Sequence, residues 1–450
     1  MARTTPRRRG GASAGAARPR LGAHDGRLAG RLAPEMVASR FAPLLERHRP
    51  AFGAVIQYNL AHVVMLAERE IVAPTVAGKL LRALRGLGAR GHTGLRLDPE
   101  LEDVYPNVEA AVIRELGEDV GGWLLTREAA LDLAHDLLAY GRALLDLADR
   151  HRETWMPTYT FLQVAQPSTF GHYLLGYVEV LKHDSQRLEA AYQRLNQSPA
   201  EIGICTGTGF PVDRYRVAEL LGFAGVLENT LYALNSGDLD IELAAVLALI
   251  ATHLSRLADD FYVWCSREFG FLELADEYCG TSFIMPQKKN PYVLDHPKWA
   301  AISSLSDLNQ ALNSYRTTPA QSPNDVFFIA TTVYERIADV RAALRLLAGA
   351  LTTLQVKREV MAARAAAGFT QASELADTLV RRGGLSFRSA HRCVGALVRE
   401  AIESGRRAGG SECKWEAVRC ACRRRTFGRP STSDGSWSVA GCSGGRPANR

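Results

Sequence analysis

Residues 280–291 read Gly280-Thr-Ser-Phe-Ile-Met-Pro-Gln-Lys-Lys-Asn-Pro291. Gly280, Pro286 and Pro291 each oppose continuous helix, so the stretch belongs on a loop rather than in a core helix. It gathers a hydroxyl at Ser282, fixed positive charge at Lys288 and Lys289, and an amide at Asn290. Together these groups suit the removal of a proton from carbon beside a carboxylate. Negative charge then builds on the carboxylate oxygens, and cations and amides positioned there stabilise it.

The segments around this loop are helical by pattern. Apolar residues recur at three and four spacings in Ala54-Val55, Tyr58, Ala61 and Met65. Further helical stretches run over 126–152, from Ser168 through Leu174, Val178, Leu181 and Leu188, and over 292–313 and 326–354. Residues 241–269 are apolar on several sides, which predicts a helix buried in a bundle or at a subunit interface. Runs of Val, Ile and Thr with turn signals are nearly absent. The expected fold class is all-α, with long helices forming a central bundle.

The chain has 450 residues and a net charge of +6. That charge sits at the ends: residues 1–31 hold eight arginines against one acid, and residues 406–450 hold ten basic residues against three acids. The middle carries 36 basic and 44 acidic side chains, so no folded basic surface for nucleic acid is expected. Uninterrupted apolar runs fall short of the eighteen or so residues that cross a bilayer, so no membrane partner is expected. Cys205, Cys265, Cys279 and Cys393 are scattered without metal-ligand spacing, and the expected compartment is the reducing cytoplasm.

Pro157-Thr-Tyr-Thr-Phe-Leu-Gln-Val-Ala-Gln-Pro167, Gly207-Thr-Gly-Phe-Pro-Val-Asp-Arg214, His253-Leu-Ser-Arg-Leu-Ala258 and Glu102-Asp-Val-Tyr-Pro-Asn-Val-Glu109 complete a set of motifs with the loop. In this order the set resembles the argininosuccinate lyase branch of the fumarase/aspartase superfamily, whose loop usually reads Gly-Ser-Ser-x-Met-Pro-x-Lys-x-Asn-Pro. The resemblance runs from about Phe52 to about Ala401. It implies a small-molecule substrate, no cofactor or metal, and a homotetramer whose active sites are shared between chains. It also implies a three-part helical architecture. The expected division is a disordered basic leader at 1–31, an N-terminal helical domain at 32–125, and a central bundle at 126–356 carrying the signature loop at 279–291. A partial C-terminal domain at 357–405 and an irregular basic tail at 406–450 follow, the tail reading as a possible frameshift.

The resemblance implies elimination of fumarate from a succinyl-type adduct, a carbon–nitrogen (amidine-type) lyase reaction. Ser282 would be the catalytic base, with Lys288, Asn290, Thr160, Gln163 and Tyr315 binding substrate. A serine is a poor base unless cations and amides stabilise its ionised form. Other positions depart from the branch. Phe161 stands where it has a histidine, Leu131 an asparagine, and Gly237 an arginine. Pro323 ends a segment, Ala320-Gln-Ser-Pro323, that has lost its lysine, and Tyr105 replaces another histidine. His135 and His172 are candidates to replace the lost imidazole, though each also reads as structural. The substitutions fall on polar positions and argue against authentic argininosuccinate cleavage. The alternative is a non-catalytic assembly protein or mixed-tetramer partner on the same scaffold.

Overall fold

The computed structural model describes residues 33–405 apart from 96, 102–103, 105–106, 109–110, 113–123, 204 and 318–322. The leader, the basic tail, Tyr105 and the segment before Pro323 therefore lie outside the described residues. The described residues divide into two compact units, one of 33–147 with 174–355, the other of 148–173 with 356–405.

The principal elements are α1 (Phe52–Glu68), α2 (Pro74–Arg90), α3 (Leu124–Arg150), β1 (Trp155–Thr160), β2 (Gln163–Thr169) and α4 (Phe170–Leu195). They continue with α5 (Arg214–Leu220), α6 (Gly237–Trp264), β3 (Gly280–Thr281), β4 (Lys289–Asn290), α7 (Asp295–Thr317) and α8 (Pro323–Thr353). The last three are α9 (Arg358–Ala366), α10 (Ala372–Gly383) and α11 (Phe387–Glu403).

In the first unit α6, α7 and α8 pack on one another. Leu243, Leu247, Ala251, Leu254, Ala258 and Phe261 line α6 at helical spacing and are all buried. On α8 the same role falls to Val326, Ile329, Val333, Ile337, Val340 and Leu344. Each such valine, leucine, isoleucine or phenylalanine taken from water contributes roughly 1.5–3 kcal/mol to holding the long helices together. A separate cluster of Val55, Ile56, Val63, Leu84 and Leu87 joins α1 to α2.

By length and composition two helical stretches, Pro34–Glu68 and Gly237–Trp264, could cross a membrane. The expectation from uninterrupted apolar runs did not register them, because scattered polar residues interrupt both. In Gly237–Trp264, 61% of the most apolar window is buried inside the protein, as the packing of α6 requires.

In the second unit the Pro157–Pro167 motif forms an antiparallel β-hairpin, with Thr160 opposite Gln163 and Tyr159 opposite Val164. Its register shifts between Pro157 and Tyr159, where Thr158 Oγ1 donates to the carbonyl of Gln166 and accepts from its amide. The helix α9 packs against both strands, and α10 packs on α11. Within the hairpin, Phe161 and Leu162 form a two-residue turn with φ of 54° and 58°. Such turns favour Asn and Gly, and bulky residues there carry strain of ~1–2 kcal/mol each. Replacing Phe161-Leu162 with Asn-Gly is therefore expected to slow hydrogen exchange of the β1–β2 amides by about five- to thirtyfold. Unchanged or faster exchange would show that the apolar pair is stabilised by contacts of its own.

Candidate active site

The signature loop is a hairpin whose ends are tied: Gly280 pairs with Asn290 and Thr281 with Lys289. Between these strands Ser282 turns back on the chain. Its Oγ accepts the amide of Ile284 at 3.3 Å and that of Met285 at 3.1 Å. Two amides aimed at one oxygen stabilise negative charge there, which is what an unassisted serine lacks as a base. The loop turns again where the Lys288 amide donates to the Met285 carbonyl at 3.1 Å.

The two lysines have different roles. Lys289 Nζ lies 2.7 Å from Asp276 and 3.4 Å from Glu273, so its charge is compensated and it pins β4 to the segment before the hairpin. The hydrogen bond that Lys289 donates to Asp276 raises the Lys289 pKa, and the same bond lowers that of Asp276. Lys288 is exposed and has no acidic partner among the described residues, which leaves it available to an anionic ligand. Asn290 is half-buried on β4. Ser282, Lys288 and Asn290 are thus brought together on one hairpin in the first unit.

Gly237 and Tyr315 meet elsewhere in the same unit. A Cβ on Gly237 would sit 3.5 Å from the Tyr315 ring and 3.4 Å from Val326, three residues beyond Pro323. Tyr315 Oη donates to the carbonyl of Asn235 at 2.9 Å, and burial raises its pKa, with Asp238 adding to the effect. Asn235 Oδ1 and Asp238 Oδ1 are buried without hydrogen-bond partners among the described residues, while Asp238 Oδ2 accepts from Tyr232 at 3.1 Å. Next to them Asp240, only 2% exposed, has its pKa pushed up to about 7 by burial first and by the charge of Asp238 second. Gly237 offers no cation to this acidic turn. Asp240 escaped the sequence reading because it lies in an otherwise apolar helix and belongs to no motif.

Thr160, Phe161 and Gln163 sit at the hairpin tip of the second unit, with Phe161 99% exposed. Leu131 projects from α3, 49% exposed, in line with Leu138 and Leu145 at seven-residue spacing. His135 is also exposed and flanks Asp136 at 3.8 Å. Asp136 itself accepts from Arg341 at 2.7 Å and Arg345 at 2.9 Å, and Asp132 accepts from Arg341 at 2.7 Å. His172 Nδ1 is 3.0 Å from Ser168 Oγ.

Two of the remaining motifs make contacts that tie their own segments into the fold. Arg214 donates to the carbonyls of Ala200, Leu227 and Glu228, and Asp213 caps α5 by accepting from the amide of Arg216. His253 Nδ1 lies 2.7 Å from the buried carboxylate of Asp184, which also accepts from Arg187. The space beside that pair, lined by Tyr140, Tyr177, Ile250 and His253, is about 10 Å³, room for one water and too small for a substrate.

A long-helix bundle carrying a serine–lysine–asparagine hairpin defines a lyase of the fumarase/aspartase type. The comparisons with known proteins agree. Residues 123–301 match the lyase family, and residues 369–419 match the argininosuccinate lyase C-terminal family. The argininosuccinate lyase of Methanocaldococcus jannaschii is 36% identical over 382 residues, covering 81% of this chain and 79% of that protein. An EDDS lyase crystallised with formate superposes with a TM-score of 0.75 at 31% identity, over 88% of this chain and 81% of its own. Class II fumarase from Schistosoma mansoni shares the fold, with a TM-score of 0.67 at 15% identity over 82% of this chain and 86% of its own. The chain belongs to the argininosuccinate lyase branch of this superfamily, a family of carbon–nitrogen lyases acting on small molecules.

Proposed function

We propose that this protein eliminates fumarate from an N-substituted aspartate, a succinyl adduct of an amine, and that the amine is less charged or bulkier than arginine. The observation that carries the reading is the Ser282 oxygen held by two amides on a hairpin whose Lys288 has no acidic partner among the described residues. Ser282 takes the proton from the carbon beside one carboxylate, and Lys288 and Asn290 hold the negative charge that follows. The carbon–nitrogen bond then breaks and a double bond forms. The departing nitrogen takes its proton from solvent, because Phe161 carries none. Thr160, Gln163 and Tyr315 complete the substrate contacts in this reading.

Phe161, Leu131, Gly237 and Pro323 set the substrate apart from argininosuccinate. The likeness to an EDDS lyase supports this, since that relative is not named for argininosuccinate. The exposed leucines of α3, with Trp299, Ile302, Leu305 and Leu312 on α7, form apolar surface that a homotetramer with shared sites would cover. A cytoplasmic location belongs to the same proposal. A second reading, a non-catalytic assembly or mixed-tetramer partner, draws on the absence of a proton-carrying group at Phe161.

Fumarate release, followed at its ultraviolet band, tests the function. N-benzylaspartate is expected to be cleaved at least about tenfold faster than argininosuccinate, roughly what a matched apolar pocket contributes. Phe161→His alone is not expected to restore argininosuccinate cleavage. Fast argininosuccinate cleavage by the unaltered chain would overturn the substrate assignment, and no release from either compound would favour the assembly reading.

A further inference from the structure

Two tyrosine-on-glycine contacts bracket the Ser282 hairpin. A Cβ built on Gly280 would lie 2.0 Å from Cε2 and 2.2 Å from Cδ2 of Tyr292, so the ring occupies the place of a side chain at the first residue of β3. Gly280 does not have the left-handed φ that calls for glycine, so the requirement there is for space. Just before the hairpin, Tyr278 makes the equivalent contact on α8. A Cβ on Gly349 would lie 2.3 Å from Tyr278 Oη. Gly349 is inside a long helix, where alanine would be the better helix former. The glycine there is explained by the tyrosine it admits.

We propose that Tyr278 and Tyr292 are positioning residues, holding the two ends of the hairpin so that Ser282, Lys288 and Asn290 face one ligand together. Neither ring needs to touch substrate. The Lys289 pair with Asp276 supports the same base from β4, while the apex between the strands, with Phe283 and Ile284 fully exposed, is left to close on a ligand. The inference rests on the hairpin being the fumarate-binding element.

Fumarate itself is the probe, with binding measured by calorimetry on the full chain and tryptic cleavage after Lys288 measured in parallel. Gly280→Ala and Tyr292→Ala are each expected to weaken fumarate binding about tenfold, a usual cost of lost positioning, and to speed the cut. The double variant is expected to be no worse than either single one, since both remove the same contact. Tyr292→Phe keeps the ring and is expected to bind within about twofold of the original chain. Gly349→Ala should behave as Gly280→Ala does. Single variants that leave both readouts unchanged, or losses that multiply in the double variant, would overturn the proposal. Should Gly280→Ala fail to fold, the Tyr292 pair of variants decides. If the unaltered chain binds no fumarate, the functional reading falls, and the cleavage rates alone judge the positioning role.

Discussion

Replacing Ser282 with alanine is expected to abolish measurable elimination while leaving the fold in place. A positioned proton acceptor is worth about a hundred- to ten-thousandfold in rate. Phe161, standing where the branch has a histidine, carries no proton that could share this work. The hydroxyl's two amide bonds are local and lie on an exposed loop, so their loss should cost about 1 kcal/mol of stability or less. Steady-state rates and thermal melts of the two proteins check both halves. A variant that turns over within threefold of the original would remove Ser282 from the mechanism. A variant that unfolds would show the turn to be structural first.

The second large effect concerns stability and pH. Asp240 is buried and its pKa is raised to about 7 in the folded protein, against about 3.9 for an aspartate in an unfolded chain. The native state therefore holds a proton that the unfolded state releases. Stability at this residue is fullest below about pH 4, falls as pH rises through the interval, and levels off above about pH 7. Asp240→Asn removes the titration. Its melting temperature is expected to change little between pH 5 and 8 while that of the original chain falls, the gap reaching on the order of 3 kcal/mol. Parallel curves for the two proteins would contradict the assignment. The physical origin is burial first, with the charge of Asp238 in the same first turn of α6 adding to it.

Much of this was legible in the sequence because local chemistry dictated it. Gly280 and Pro291 mark the limits of the signature loop, and the spacing from Ser282 to Lys288 and Asn290 carried through to a single hairpin. The long helices followed from apolar periodicity, as in Leu243, Leu247, Leu254 and Phe261. The β1–β2 hairpin did not, for identifiable reasons. Pro157 and Pro167 sit opposite each other in it, and prolines argue against a strand unless an edge or bulge accommodates them. Phe161-Leu162 also lacks the Asn-Gly chemistry that announces a two-residue turn. The division of labour between Lys288 and Lys289 was equally invisible, since it depends on Asp276 and Glu273 folding back onto one of them. Asp240 and the tyrosine–glycine contacts arise from burial and close approach, which no spacing records.

The claim that this hairpin moves a proton at carbon beside a carboxylate is tested most directly in the reverse direction. Fumarate and benzylamine are incubated with the full chain in heavy water, and the N-benzylaspartate formed is examined by proton NMR. The account predicts adduct carrying a single deuterium, placed stereospecifically on the carbon that Ser282 serves, and none above background with Ser282→Ala. Adduct formed equally well by the alanine variant, or deuterium distributed over both faces of that carbon, would contradict it.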